Sequence, residues 1–89
     1  MKQELSDKII SALKAGPFKD AEDAVIVDYP PTGVDEIHVV VVSRKFEGLR
    51  MKQKISLITS ALRGKLSKRE HTRITLVMGL TPDDVKAVA

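Results

Sequence analysis

The sequence predicts an α+β domain of element order α-β-β-α-β-α, with a three-stranded mixed sheet and helices on one face. Three observations predict it. Residues 39–42 are four consecutive valines, too apolar for a half-solvated strand and suited to the middle of a sheet. After a turn through Gly48, Met51, Ile55, Ile58 and Leu62 recur at spacings of four, three and four, which places them on one narrow helical face. A strand, a short turn and an amphipathic helix form the first half of a right-handed βαβ crossover, and Ile74, Leu76 and Met78 supply the returning strand.

The remaining elements follow in order. Over residues 5–15, Leu5, Ile9 and Ala12, flanked by Leu13, fit one helical face. Gly16-Pro17 closes this helix, Gly by accepting a left-handed cap and Pro because it cannot continue the helix. Ser6 is a candidate N-cap, and a start near Lys2 is the alternative. Residues 24–27 (AVIV) form a short strand after an acidic lead-in of Asp20, Glu22 and Asp23. Pro30-Pro31-Thr32-Gly33 stops that strand in a stiff loop flanked by Asp28, Asp35 and Glu36. The second strand covers residues 37–43 and pairs with the first as an antiparallel hairpin. Beyond the central helix, Gly64 is a cap position, with continuation to Leu66 as the alternative. Ser67 and Glu70 have the S-x-x-E spacing of a capping box, which reads as a turn or one short helical turn. Thr75 and Val77 alternate with the apolar positions of the third strand, which packs on one face and ends at Gly79-Leu80. Thr81-Pro82-Asp83-Asp84 then opens a terminal helix reaching Ala89, with a hydroxyl N-cap, Pro at the first helical position and acids against the dipole.

A hairpin followed by a right-handed crossover makes the second strand central and the third parallel to it. One helical layer covers one face of such a sheet. Val40 and Val42, with His38, are expected on the uncovered face, a candidate contact surface for a partner or a second copy in a monomer or weak homodimer.

Residues 1–89 make one small domain, whose core must be aliphatic because Phe18, Phe46 and Tyr29 are its only rings. The absence of Cys excludes disulfides, a thiol nucleophile and any Cys-based metal or cluster site from this chain alone. No apolar run approaches the roughly 18–20 residues of a membrane span, so no membrane partner and a cytoplasmic location are expected. Charge is segregated. Residues 1–43 carry four lysines against eight carboxylates, whereas residues 44–73 carry ten cations against Glu47 and Glu70. That separation creates a directed field and favours an anionic partner on one side.

Arg44, Lys45, Arg50, Lys52 and Lys54 surround the strand-to-helix turn, where helix N-terminal amides also favour anions. Arg63, Lys65, Lys68, Arg69 and Arg73 gather near the other end of the helix, and Arg73 is assigned a supporting role. Such cations neutralise phosphates with steep salt dependence and little sequence selectivity. Phe46, expected in the core, is the one aromatic of the basic stretch, so base stacking on single strands is poorly provided for. Catalysis has no recognisable constellation: the imidazoles are His38 and His71, no phosphate loop is present, and Gly48-Leu49-Arg50-Met51 lacks the second glycine of a G-x-x-G clamp. The acidic groups at Asp20–Asp23 and Asp83–Asp84 read as surface and cap residues. The expectation is a non-enzymatic binding domain.

The stretch also resembles a family. Val39–Ser43, Phe46, Glu47 and Gly48, followed by Gln53, Ala61 and Leu62 and later by Leu80-Thr81-Pro82-Asp83, is similar to the pattern of the BolA-like proteins over roughly residues 37 to 85. The resemblance implies a fold of type II KH-like topology and a DNA-binding role in transcriptional or stress regulation, through a turn-plus-helix surface. It implies a second role as well, as an adaptor that shares an iron–sulfur cluster with a monothiol glutaredoxin through a histidine near the start of the third strand. Arg73 stands at that position here, with His71 two residues earlier as the candidate ligand, and arginine cannot deprotonate to ligate. Glu36 stands where a histidine often precedes the second strand, and His38 falls two residues later; the helix motif Q-R-H-R reads Gln53-Lys54-Ile55-Ser56. DNA binding is the leading expectation and the glutaredoxin adaptor the alternative.

Overall fold

A computed structural model describes residues 2–31 and 36–88. Its elements are α1 (Lys2–Ala15), β1 (Ala24–Asp28), β2 (Ile37–Val42), a 3₁₀ turn (Arg44–Phe46), α2 (Met51–Leu62), α3 (Lys68–Thr72), β3 (Ile74–Leu80) and α4 (Pro82–Val88). The sheet order is β1-β2-β3, with β2 antiparallel to β1 and parallel to β3. The expected α+β architecture is therefore present, and the valine strand is central. Thr32, Gly33 and Asp35 of the proline loop, and Ala89, lie outside the described residues. Among the described residues no helix is long and apolar enough to cross a membrane.

Alternation along β2 divides the molecule. Ile37, Val39 and Val41 are fully buried, while His38, Val40 and Val42 are half-buried on the other face. The buried side packs against Leu5, Ile9, Ala12 and Leu13 of α1 and Ile58 and Leu62 of α2, with Phe18 and Phe46 closing one end. α1 begins at Lys2, so Ser6 is an internal helical residue rather than an N-cap. Its Oγ lies 2.6 Å from Tyr29 Oη and ties α1 to the end of β1. α1 closes at Gly16 without a left-handed residue; among the described glycines, positive φ occurs at Gly48 and Gly64. Phe18 N instead donates to Leu13 O at 3.1 Å.

Two expectations about side-chain direction fail, each for a local reason. Ile74, Leu76 and Met78 do not share a packed face, because the β2–β3 ladder shifts register between Ile37 and His38. Ile37 pairs with Ile74 but His38 pairs with Leu76, so Thr75 is an extra residue and the alternation inverts after it. Ile74 and Val77 pack on the core, while Leu76, Met78 and Leu80 join His38, Val40 and Val42 on the open face. β3 ends at Leu80, as expected, and Gly79 is buried just inside that end. A Cβ built there would sit 2.9 Å from Lys54 Cβ and 3.0 Å from the Phe46 ring. The missing side chain lets the first turns of α2 lie directly on β3. Of the face expected for α2, Ile58 and Leu62 are buried, with Leu57 and Ala61 packed beside them, whereas Met51, at the first position of the helix, is 49% exposed.

The S-x-x-E box caps a short helix. Ser67 Oγ accepts from Glu70 N at 3.1 Å, and Ser67 N donates to Glu70 Oε1 at 2.8 Å. The same carboxylate accepts from Lys8 Nζ at 2.8 Å, which pins α3 to α1. The Lys8 ammonium, with the Ser67 amide second, holds the Glu70 carboxyl at about 2, down from its ordinary 4.5. A depressed carboxyl stabilises the fold above its unfolded pKa, and that contribution is lost as pH falls through the folded value. Glu70→Gln is therefore expected to lower the melting temperature above pH 4.5, with the gap to the parent closing toward pH 2. Paired thermal melts across that range measure it; a gap independent of pH would mean that the charge has no part. Gly79→Ala is expected to cost about 1–3 kcal/mol in urea unfolding, because Lys54 and Phe46 must both retreat.

Candidate nucleic-acid interface

The strand-to-helix turn is built from β2 outward. Ser43 is buried; its N–H donates to Leu80 O at 2.9 Å, and its Oγ accepts from Lys45 N at 3.1 Å, which turns the chain into the 3₁₀ segment. Phe46 then enters the core, its ring centroid 5.3 Å from that of Phe18 and tilted by 49°. Anchoring Phe46 leaves Arg44 and Lys45 outside. Gly48, at φ +77°, reverses the chain, and Arg50 N donates to Gln53 Oε1 at 2.8 Å to start α2.

Of the six residues expected to contact nucleic acid, Lys45, Arg44 and Lys54 are engaged by carboxylates among the described residues. Lys45 Nζ lies 3.0 Å from Asp20 Oδ2 and 3.1 Å from Asp23 Oδ2. Arg44 Nε is 3.4 Å from Glu22 Oε2, and Lys54 Nζ is 3.8 Å from Asp84 Oδ2. The acidic lead-in to β1 is thus the counter-ion of the basic turn. Asp23, read from sequence as surface, is buried. Burial pushes its carboxyl up, yet the hydrogen bonds from Ser43 and Lys45 together outweigh that and hold it below the ordinary value. Lys45 is raised, chiefly by its hydrogen bond to Asp20. The signal for this pairing was the hairpin register: Ala24 opposes Val42, so Asp23 and Ser43 are the next positions along the two strands.

Arg50 and Lys52 are exposed at the start of α2 and form no ion pair among the described residues. Arg73 is not brought to them. It caps the C-terminus of α3, and its carbonyl accepts from Ile37 N at 3.0 Å, at the opposite end of the sheet from Lys45. One strand length, roughly 20 Å at about 3.3 Å per residue, separates the two.

His71 lies on α3 rather than at the start of β3, and His38 faces the open side of β2 between Asp28 and Leu76. No group of three or more His, Asp or Glu side chains converges on a point among the described residues. His71 instead borders an open depression of about 340 Å³ between the end of α2 and α3, together with Arg63, Gly64, Leu66, Lys68 and Thr72. Gly64, at φ +82°, makes the reversal that forms this depression. No protein-family model, curated protein or solved structure significantly matches the chain.

The Arg44–Glu22 and Lys45–Asp23 ion pairs of the turn differ in consequence. Both members of the Arg44–Glu22 pair are more than 70% exposed, whereas the Asp23 side chain is 4% exposed. Removing one partner of an exposed pair costs little, but stranding a buried carboxylate costs much more. Lys45→Ala is expected to lower the melting temperature by several degrees and Arg44→Ala to leave it within error. Equal melting temperatures for the two variants would show that the Asp23 contact does not hold the turn.

Proposed function

We propose that the chain is a non-enzymatic binding domain, similar to the BolA-like proteins in pattern and element order. In this reading it contacts the backbone of duplex DNA through the basic turn and the exposed side of α2, in transcriptional or stress regulation. The observation that carries the reading is the run of residues 48–69, which holds seven cations and no carboxylate. Within it α2 presents Lys52, Gln53, Ser56 and Ser60 to solvent, residue types that hold phosphate oxygens by charge or hydrogen bond. Arg50 and Lys52 bear the largest share, since no carboxylate among the described residues pairs with them. Arg44 joins by exchanging its exposed partner Glu22. Lys45 and Lys54 are structural cations whose charge adds to the field, and Arg73 lies too far along the sheet to act with them.

Two or three phosphate contacts give a log–log salt slope of about −2 to −3 on duplex DNA. Lys52→Ala and Arg50→Ala are each expected to weaken binding and to flatten that slope by about one unit. Fluorescence anisotropy with a labelled duplex between low and moderate salt reads both quantities. Affinity and slope unchanged in the double variant would overturn the assignment.

A second reading, an adaptor for a monothiol glutaredoxin, is favoured by the open apolar sheet face. Ile26, Val40 and Met78 form its central row, and Ile26 is 50% exposed. In that reading His71 is the candidate ligand to a shared iron–sulfur cluster. A visible spectrum of the reconstituted heterodimer that His71→Ala leaves unchanged removes His71 from the role.

A further inference from the structure

The basic residues at the far end of α2 are organised differently from those of the turn. Arg63, Lys68 and His71 border one concavity, and no carboxylate among the described residues lines it. The spacing of Lys68, His71 and Thr72 places them on a single face of α3. Glu70, the carboxylate of this helix, is held elsewhere, by Lys8 at 2.8 Å and by the Ser67 amide. Arg63 and Lys68 form no ion pair among the described residues. Thr72 Oγ1 already donates to Lys68 O at 2.8 Å, so charge, the imidazole N–H and the Ser67 hydroxyl, which accepts from Glu70 N, are what the concavity offers a ligand.

We propose that this depression binds a phosphomonoester. Two fixed positive charges match the charge of about −1.5 to −2 that such a group carries near neutral pH. The planar guanidinium of Arg63 suits two phosphate oxygens at once, and Lys68 acts as a point charge beside it. A volume of about 340 Å³ lies at the small end for ligand sites, enough for a phosphate and its attached sugar. Leu66 supplies an apolar wall for the sugar; among the described residues no Phe, Tyr or Trp lines the site to stack a base, and its one imidazole, His71, serves the phosphate. Recognition is therefore of the phosphate and sugar, independent of the base. A free mononucleotide and the 5′-phosphorylated end of a strand present the same chemistry. The site stands apart from the interface at the start of α2, a helix length of about 18 Å away.

The test is an amide-shift titration of the isotope-labelled full chain at constant ionic strength, with ribose 5-phosphate, 5′-AMP, adenosine and a short oligonucleotide with or without a 5′-phosphate. Ribose 5-phosphate and 5′-AMP are expected to shift amides of residues 63–72 saturably and with similar affinity, and adenosine is not. A response confined to the 5′-phosphorylated oligonucleotide also supports the site and assigns it to strand ends. Arg63→Ala and Lys68→Ala should each weaken binding at least fivefold, and Arg63→Lys should fall between. Lys65→Ala, which removes the same charge outside the depression, should change it less than twofold. The double variant Arg50→Ala/Lys52→Ala should leave this binding intact, so failure of the duplex interface and failure of this site are read separately. The proposal is overturned if no phosphomonoester gives a saturable shift, if adenosine matches 5′-AMP, or if Lys65→Ala weakens binding as much as Lys68→Ala.

Discussion

The contact on which the structure depends is the approach of α2 and the 3₁₀ turn to the bare backbone of Gly79. Phe46 and the first carbon of the Lys54 side chain occupy the space that any side chain at position 79 would need. With that space open, α2 settles onto β3, Phe46 meets Phe18, and the chain between β2 and α2 is fixed at both ends. The basic turn takes its position from this packing. Its charges are presented by a buried aromatic anchor and a glycine, and the pair of Lys45 with buried Asp23 ties the turn to the start of β1.

Electrostatics then sorts the cations into two groups. Those near the β1–β2 hairpin meet the acidic lead-in to β1, which the hairpin register brings alongside, and they act as structural counter-ions. Lys45 and Asp23 are the clearest case, because Asp23 is buried and needs its partner. Cations on the free side of α2 and on the α2–α3 reversal meet no acid among the described residues: the chain places none between Glu47 and Glu70, and Glu70 is turned to Lys8. The net basic character of the central third thus survives folding only where the structure supplies no carboxylate beside it.

The sheet is one-sided for a topological reason: one layer of helices covers the face bearing Ile37, Val39 and Val41. The open face is apolar through its middle row, Ile26, Val40 and Met78, and polar at one end through Asp28 and His38. The extra residue at Thr75 gives β3 its share of that face. Without it Leu76 and Met78 would point into the core and Val77 outward, which is the arrangement that simple alternation predicts.

Much of the fold was legible in the sequence because it rests on local signals. Periodicity marked α1 and α2, the valine run marked the central strand, and the Ser67 and Thr81 caps marked the starts of α3 and α4 through side-chain bonds to amides three residues away. The candidate interface was legible as charge and not as geometry. Composition located the cations, but which of them are paired depends on Asp20, Glu22 and Asp23, more than twenty residues upstream of Lys45 and Arg44 and brought there by strand pairing. The distance of Arg73 from the turn follows in the same way from the parallel direction of β3. The sequence by itself determined the elements, their order and the sign of the surface charge, all of which depend on neighbours within one or two turns. The tertiary structure alone decided the face of β3, the embedding of Gly79 and the partition of the cations, because each is a contact between residues far apart in the chain.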